Sequence, residues 1–150
     1  MPGRWSRSLA DADWVCEHGL IARVVKGQWP DPAEPNRGLR DGFLEVIDRL
    51  AGRARHVAVA SHDVPLAAEA IARLQHAGTS CELELLFGLP MTPSLAWARE
   101  QRVPVRIYVP YGKGYIPHAM DQLWRNPRFV WWILKDLVSL RSARGSLNRS

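Results

Sequence analysis

Apolar positions along the chain follow two periods that take turns. Short, mostly apolar runs lie at 20–25, 56–60, 81–87 and 103–109, and they read as strands. Helical spacing takes over between them. Leu39, Phe43, Val46, Ile47 and Leu50 form one stripe over 39–51, with Gly52 as a stop. Ala67, Ala70, Ile71 and Leu74 form a second, behind a cap at Asp63 and a first turn containing Pro65. His76 in its last turn and Gly78 just beyond mark its end. Thr92 is expected to cap a third helix running to about 101, with Pro93 as its first residue. A fourth helix is expected at 115–125, closed by Asn126-Pro127, and a nearly all-apolar one at 128–140. Another, at 8–18 and ended by Gly19, precedes the first strand.

Strands that alternate with helices predict a parallel sheet with right-handed crossovers, and hence an α/β protein. The strands read as apolar on both faces, the mark of buried parallel strands. Four such units make half of an eight-unit barrel, and an open four-stranded α/β sandwich is the alternative. No GxGxxG follows any strand, so the dinucleotide fingerprint of a Rossmann fold is missing. Lys113 sits in Gly112-Lys113-Gly114, which is not a phosphate-binding Walker loop.

Composition narrows the class little. The 150 residues are 47% hydrophobic and 23% charged, ordinary globular usage. Cys16 and Cys81 stand apart without metal-ligand spacing and read as buried free thiols of a reducing compartment. The first residues, with Arg4, Arg7, Asp11 and Asp13, are not expected to act as a signal peptide. No apolar run reaches the roughly 18 residues that a membrane span needs. The net charge of +5 supports weak attraction to anions and no more.

The densest chemistry lies at the ends of the strands. Residues 106–124 form a strand–loop–helix unit whose polar and aromatic groups, Tyr108 among them, gather where α/β proteins build sites. No Ser/His/Asp arrangement and no metal-ligand cluster is present, so neither hydrolytic nor metal chemistry is expected. Read alone, Arg23 and Lys26 are ordinary charges flanking a strand, and His62 an ordinary loop histidine. His18 and His76 suit helix C-termini, and His56 carries no signal.

Four segments in order resemble the proline dehydrogenase family. Arg23-Val-Val-Lys-Gly-Gln-Trp29 is similar to the family's RLVKGAYW, and Ala60-Ser-His-Asp63 to its ATHN. Glu82-Leu-Glu-Leu-Leu-Phe-Gly-Leu89 is similar to FEFQMLYGM, and the unit from Arg106 to Trp124 to the last strand and helix of the barrel. The resemblance covers about residues 20–127. It implies the second half, strands 5 to 8 with their helices, of a (β/α)8 TIM-type barrel over 1–127, with a C-terminal apolar helix and basic tail at 128–150. It implies an FAD-dependent enzyme that moves a hydride from the C–H beside a secondary amine to flavin, giving an imine; in the family, proline becomes pyrroline-5-carboxylate. Arg23 would then lie beside the flavin ring, and Val25, Lys26, Gly27 and Trp29 along the cofactor. Ser61 and His62 would face its phosphate and ribose region. Glu84 would stand where the family has glutamine, and Tyr108 between flavin and substrate. Arg23 and Tyr108 are the catalytic candidates.

The resemblance departs from the family at the substrate helix. The family's Tyr-x-x-Arg-Arg-x-x-Glu, whose arginines clamp a carboxylate, reads here His118-Ala-Met-Asp121-Gln122-Leu-Trp-Arg125. His118, Asp121, Gln122, Arg125 and Tyr108 are the substrate-binding candidates, for a small amine or amino acid. Strands 1 to 4 have no counterpart, so a partner chain or a missing N-terminal half-barrel is expected, and the chain alone is expected to be an inactive truncation. A quinone or another acceptor would take the electrons. The helix at 128–140 is expected to pack on protein, or to touch a membrane surface through Trp124, Trp131 and Trp132. The expected location is the cytoplasm, with the inner face of a membrane as an option. The rivals are a degenerate or non-catalytic flavin-binding fragment, and a basic protein that binds membrane surfaces or nucleic acid; no nucleic acid is expected under the main reading.

Overall fold

The computed structural model describes residues 1–27 and 29–109. Strands β1 (Ile21–Val25), β2 (His56–Ala60), β3 (Cys81–Leu86) and β4 (Val105–Tyr108) alternate with helices α1 (Arg7–Glu17), α2 (Leu39–Leu50), α3 (Val64–His76) and α4 (Thr92–Glu100). The expected helices at 115–125 and 128–140 lie outside the described residues. The sheet is parallel throughout and ordered β1-β2-β3-β4, the order of the sequence. That order never reverses, so there is no switch point of the doubly wound kind. Right-handed crossovers then put successive helices on one side of the sheet, and α1, α2, α3 and α4 do pack each against the next. The fold is α/β and compatible with half of a barrel.

The core fills the space between the helices and one face of the sheet. Val24, Val57, Val59, Leu83 and Leu85 point into it from the strands, and Phe43, Ile47, Leu50, Leu66, Ile71 and Leu74 meet them from α2 and α3. Each is essentially buried, a gain of about 1.5–3 kcal/mol per side chain of this kind. Cys81 lies in this core, where burial pushes its thiol up; Cys16 is half-buried, and both thiols are free. The opposite face corrects the expectation of strands apolar on both sides. It carries Arg23, His56, Glu82, Glu84 and Arg106 together with Ala58 and Ala60, and Ile21 on it is 64% exposed. With the helices on one side only, alternation leaves every second residue free to be polar.

Local signals placed most helix ends. Asp63 caps α3 by accepting the Leu66 N–H at 3.2 Å, with Pro65 in the first turn. Gly52 and Gly78 take positive φ just past α2 and α3, which glycine does without strain. The α4 expectation is off by one residue: Met91 occupies the cap position and Thr92 is already helical, so Pro93 is the second helical residue. Proline is tolerated anywhere in the first turn because those N–H groups have no helical acceptor. At the other end of the helix layer, Arg49 and Arg53 of the α2 end hold the Asp13 carboxyl of α1 down to about 2.

The first residues add to the sheet. Gly3 donates its N–H to the Val25 carbonyl at 2.8 Å, Val25 donates to the Met1 carbonyl at 3.0 Å, and Pro2 forms a parallel bridge with Val25. Gly3 is fixed there by close approach, since a Cβ would lie 2.7 Å from the Cα of Phe43. Gly3→Ala is expected to cost about 1–3 kcal/mol through overpacking. Leu83→Ala, which opens a cavity at the centre of the core, is expected to cost about 2–5 kcal/mol. Urea unfolding of each variant against the parent checks both values.

Candidate functional site

A cleft of about 340 Å³ lies over the polar face at the carboxyl ends of the strands. Its floor is made by the strands, through Arg23 and Val25 of β1, Ala60 of β2, and Glu84 and Leu86 of β3. Pro2 and Trp5 form one wall, Lys26, Gly27 and Trp29 the rim beyond β1, and His62 and Leu89 the opposite side. The chain turns away from β1 at Gly27, whose φ is +78°. Residues from three of the resembling segments, far apart in sequence, thus meet in one cavity.

The floor is organised by an ion pair. Arg23 donates from Nε to both oxygens of Glu84 at 2.7 and 2.8 Å, and its Nη2 lies 2.6 Å from Oε1. The two residues are on strands separated by β2, roughly 9–10 Å apart at the usual strand spacing. Arg23 pairs in register with Ala58 and Glu84 with Ala60, so the guanidinium runs diagonally over two methyl groups. The Glu84 side chain is only 7% exposed, whereas that of Arg23 is 48% exposed. Tyr108 comes up from β4 with its ring centroid 5.2 Å from the guanidinium carbon, a cation–π contact that supports Arg23 from the side of the sheet edge. Nearer the amino ends of the strands, Arg106 binds Glu82 at 2.7 Å and holds its carboxyl below the usual carboxylate range, with His56 3.6 Å away.

At the rim, Lys26 Nζ reaches Asp63 Oδ2 at 2.7 Å, and this hydrogen bond holds the Asp63 carboxyl down. Asp63 thereby serves Lys26 and the α3 N-terminus at once. Ser61 is buried, and its Oγ accepts the Asp63 N–H at 3.1 Å. His62 has both ring nitrogens engaged by backbone: Nδ1 lies 3.1 Å from the Pro90 carbonyl, and Nε2 accepts the Leu86 N–H at 2.9 Å. This pairing requires the neutral Nδ1–H tautomer, and burial lowers the pKa of the ring. His62 therefore ties the β2–α3 turn to the end of β3, and in this arrangement neither nitrogen is left for a ligand.

Sequence reasoning missed the wall. Trp5 donates from Nε1 to the Trp29 carbonyl at 3.2 Å. Asp31, buried in the loop before α2, accepts the Ser6 N–H at 2.9 Å and its hydroxyl at 2.7 Å, along with the Ala33 N–H. Arg4 donates to the carbonyls of Arg37 and Pro35. These bonds strap the loop of 29–37 to residues 4–6. The one available signal was an acid between two prolines in Pro30-Asp31-Pro32, which reads equally as a solvated turn. Among the expected substrate residues, His118, Asp121, Gln122 and Arg125 lie outside the described residues, and Tyr108 stands beside the floor. Among the described residues no cluster of His, Cys, Asp or Glu could hold a metal ion, and no helix is long and apolar enough to cross a membrane.

The His62 arrangement gives a pH dependence of defined sign. In the unfolded chain the ring titrates near 6.5, and in the folded protein lower. Its contribution to stability is therefore complete above 6.5 and is lost as the pH falls from there through the folded value. The urea midpoint is expected to drop between about pH 8 and about pH 5, and His62→Gln to flatten that drop. A slope unchanged in the variant would mean that His62 does not carry it.

No family model matches the chain. A distant likeness does exist to proline dehydrogenase 1 of Bacillus subtilis (strain 168), 26% identical over 123 residues. The aligned part takes in 77% of this chain and 40% of that protein, so the chain spans about two fifths of the relative's length. Among enzymes of known activity, the likeness points to the oxidoreductases of that family and no further.

Proposed function

We propose that this chain forms the cofactor-binding half of a flavin-dependent amine dehydrogenase of the proline dehydrogenase type. In this reading β1 to β4 are strands 5 to 8 of a (β/α)8 barrel over 1–127, and 128–150 is an appended helix and tail. The observation that carries it is the convergence of Arg23, Lys26 and Glu84 on one cleft at the carboxyl ends of parallel strands, where β/α proteins bind their ligands. The distant likeness to a proline dehydrogenase adds to it.

The lining suits a flat ring carried on an anionic tail. Val25, Leu86 and Leu89 offer apolar contact, with Trp5 and Trp29 at the wall and rim. Lys26 and the α3 N-terminus supply the positive end that a phosphate needs, although Asp63 shares both. Bound FAD would supply hydride acceptance. Arg23 would lie beside its ring with Glu84 near it, Gly27 would let the backbone come close, and Trp29 would screen the cavity from water. Tyr108, with His118, Asp121, Gln122 and Arg125, would border a small amine substrate. The electrons would pass to a quinone or a similar acceptor, reached through a peripheral membrane contact of the helix at 128–140 in the cytoplasm. The remaining β/α units would come from another stretch of chain or a partner.

A second reading, a flavin-binding module without turnover, draws on the pairing of both cleft cations with acids. The visible absorption spectrum of the protein purified from its own host, before and after adding a cyclic secondary amine, separates the two. Flavin bands bleached by the amine are expected. Bands that persist with every amine favour the module, and a colourless protein overturns both readings.

A further inference from the structure

The described cleft holds its charges in closed pairs. Arg23 gives Nε and Nη2 to Glu84 at 2.6–2.8 Å, and Lys26 gives its ammonium to Asp63 at 2.7 Å. Glu84 is the buried member of its pair, 7% exposed in mid-strand, and the alanines at 58 and 60 keep the track between β1 and β3 clear for Arg23 to reach it. Glu84 occupies Nε and Nη2 of Arg23, so a carboxylate entering the cleft would meet the outer edge of a guanidinium whose charge is already offset. Glu84 would have to share Arg23 with this second anion while standing close to the incoming negative charge, and both effects oppose binding.

Resting on the amine dehydrogenase reading above, we infer that Glu84 is the specificity-determining residue of the cleft. It holds Arg23 on the floor and cancels its charge. The cleft therefore takes a cyclic amine whose neighbouring substituent is uncharged, such as an alcohol, ester or amide, in preference to the free amino acid. The role is electrostatic and depends on the charge at position 84 rather than on the shape of the side chain.

The test uses the holoprotein purified from its host and two ring analogues that lack the oxidisable nitrogen. Tetrahydrofuran-2-carboxylate is the anion and tetrahydrofurfuryl alcohol its uncharged counterpart. Dissociation constants are read from the perturbation of the flavin absorption bands. The parent protein is expected to bind the alcohol more tightly than the carboxylate. Glu84→Gln frees Arg23 at almost constant shape, and it should tighten the carboxylate by about tenfold or more, the worth of one charge-assisted hydrogen bond, while leaving the alcohol unchanged. Glu84→Asp keeps the charge and should keep the parent's preference; a merely structural role would be disturbed by both variants alike. A parent that prefers the carboxylate, or a ratio that Glu84→Gln does not move, overturns the inference. Flavin bands that neither analogue perturbs also overturn it while leaving the cofactor reading in place. A protein without flavin removes the reading on which the inference rests, and the inference with it.

Discussion

Winding four parallel strands in sequence order commits all the helices to one side of the sheet, and the rest of the structure follows from that commitment. One face becomes a close-packed core of valine, leucine and phenylalanine. The other is left without helices among the described residues, and the alternation of the strand sends Arg23, His56, Glu82, Glu84 and Arg106 to it. Charges set in mid-strand cannot all reach bulk water, so they close on one another. Glu82 is held by Arg106 and lies beside His56, and Glu84 is held by Arg23. Two small residues, Ala58 and Ala60, make the longer of these reaches possible. A larger side chain at either position would stand in the way of the guanidinium.

The cleft inherits this arrangement. Its floor is the top of the charged face, and its polar groups are paired before any ligand arrives. An arginine free of partners would make the site a trap for anions; one held by a buried glutamate makes it a nearly neutral surface with aromatic sides. The same economy governs the rim, where Asp63 serves both as helix cap and as counter-ion for Lys26. The wall depends on backbone contact instead. Gly3 sits against Phe43 so closely that no side chain fits, and this contact sets Pro2 and Trp5 beside β1. Stability of the core and shape of the cleft are therefore linked through a single close approach.

Much of the fold was legible locally. The strand at 56–60 and the start of α2 at Leu39 coincide with the pattern of apolar positions, because burial on one side imposes its period on the residues themselves. The α3 cap was legible for a similar reason: Asp63 and its acceptor role span three residues. The α4 start was misplaced by one residue because threonine followed by proline suits both a cap and a first turn. The strand faces were misjudged because unbroken hydrophobic runs such as that of β1 hide single charged positions. Whether such a position faces core or cleft depends on which side the helices take.

The sequence by itself determined the order of elements and the parallel sheet through periodicity, and its resemblance to a known family singled out Arg23, Lys26, His62 and Glu84. Only the tertiary structure decided what those residues do to one another. It paired Arg23 with a glutamate 61 residues away, spent both nitrogens of His62 on backbone, and brought Asp31 and Trp5 into a wall that no local pattern announced. The physical reason is that a side chain's partner is chosen by register across strands and by the side on which the helices pack, and these are properties of the whole sheet.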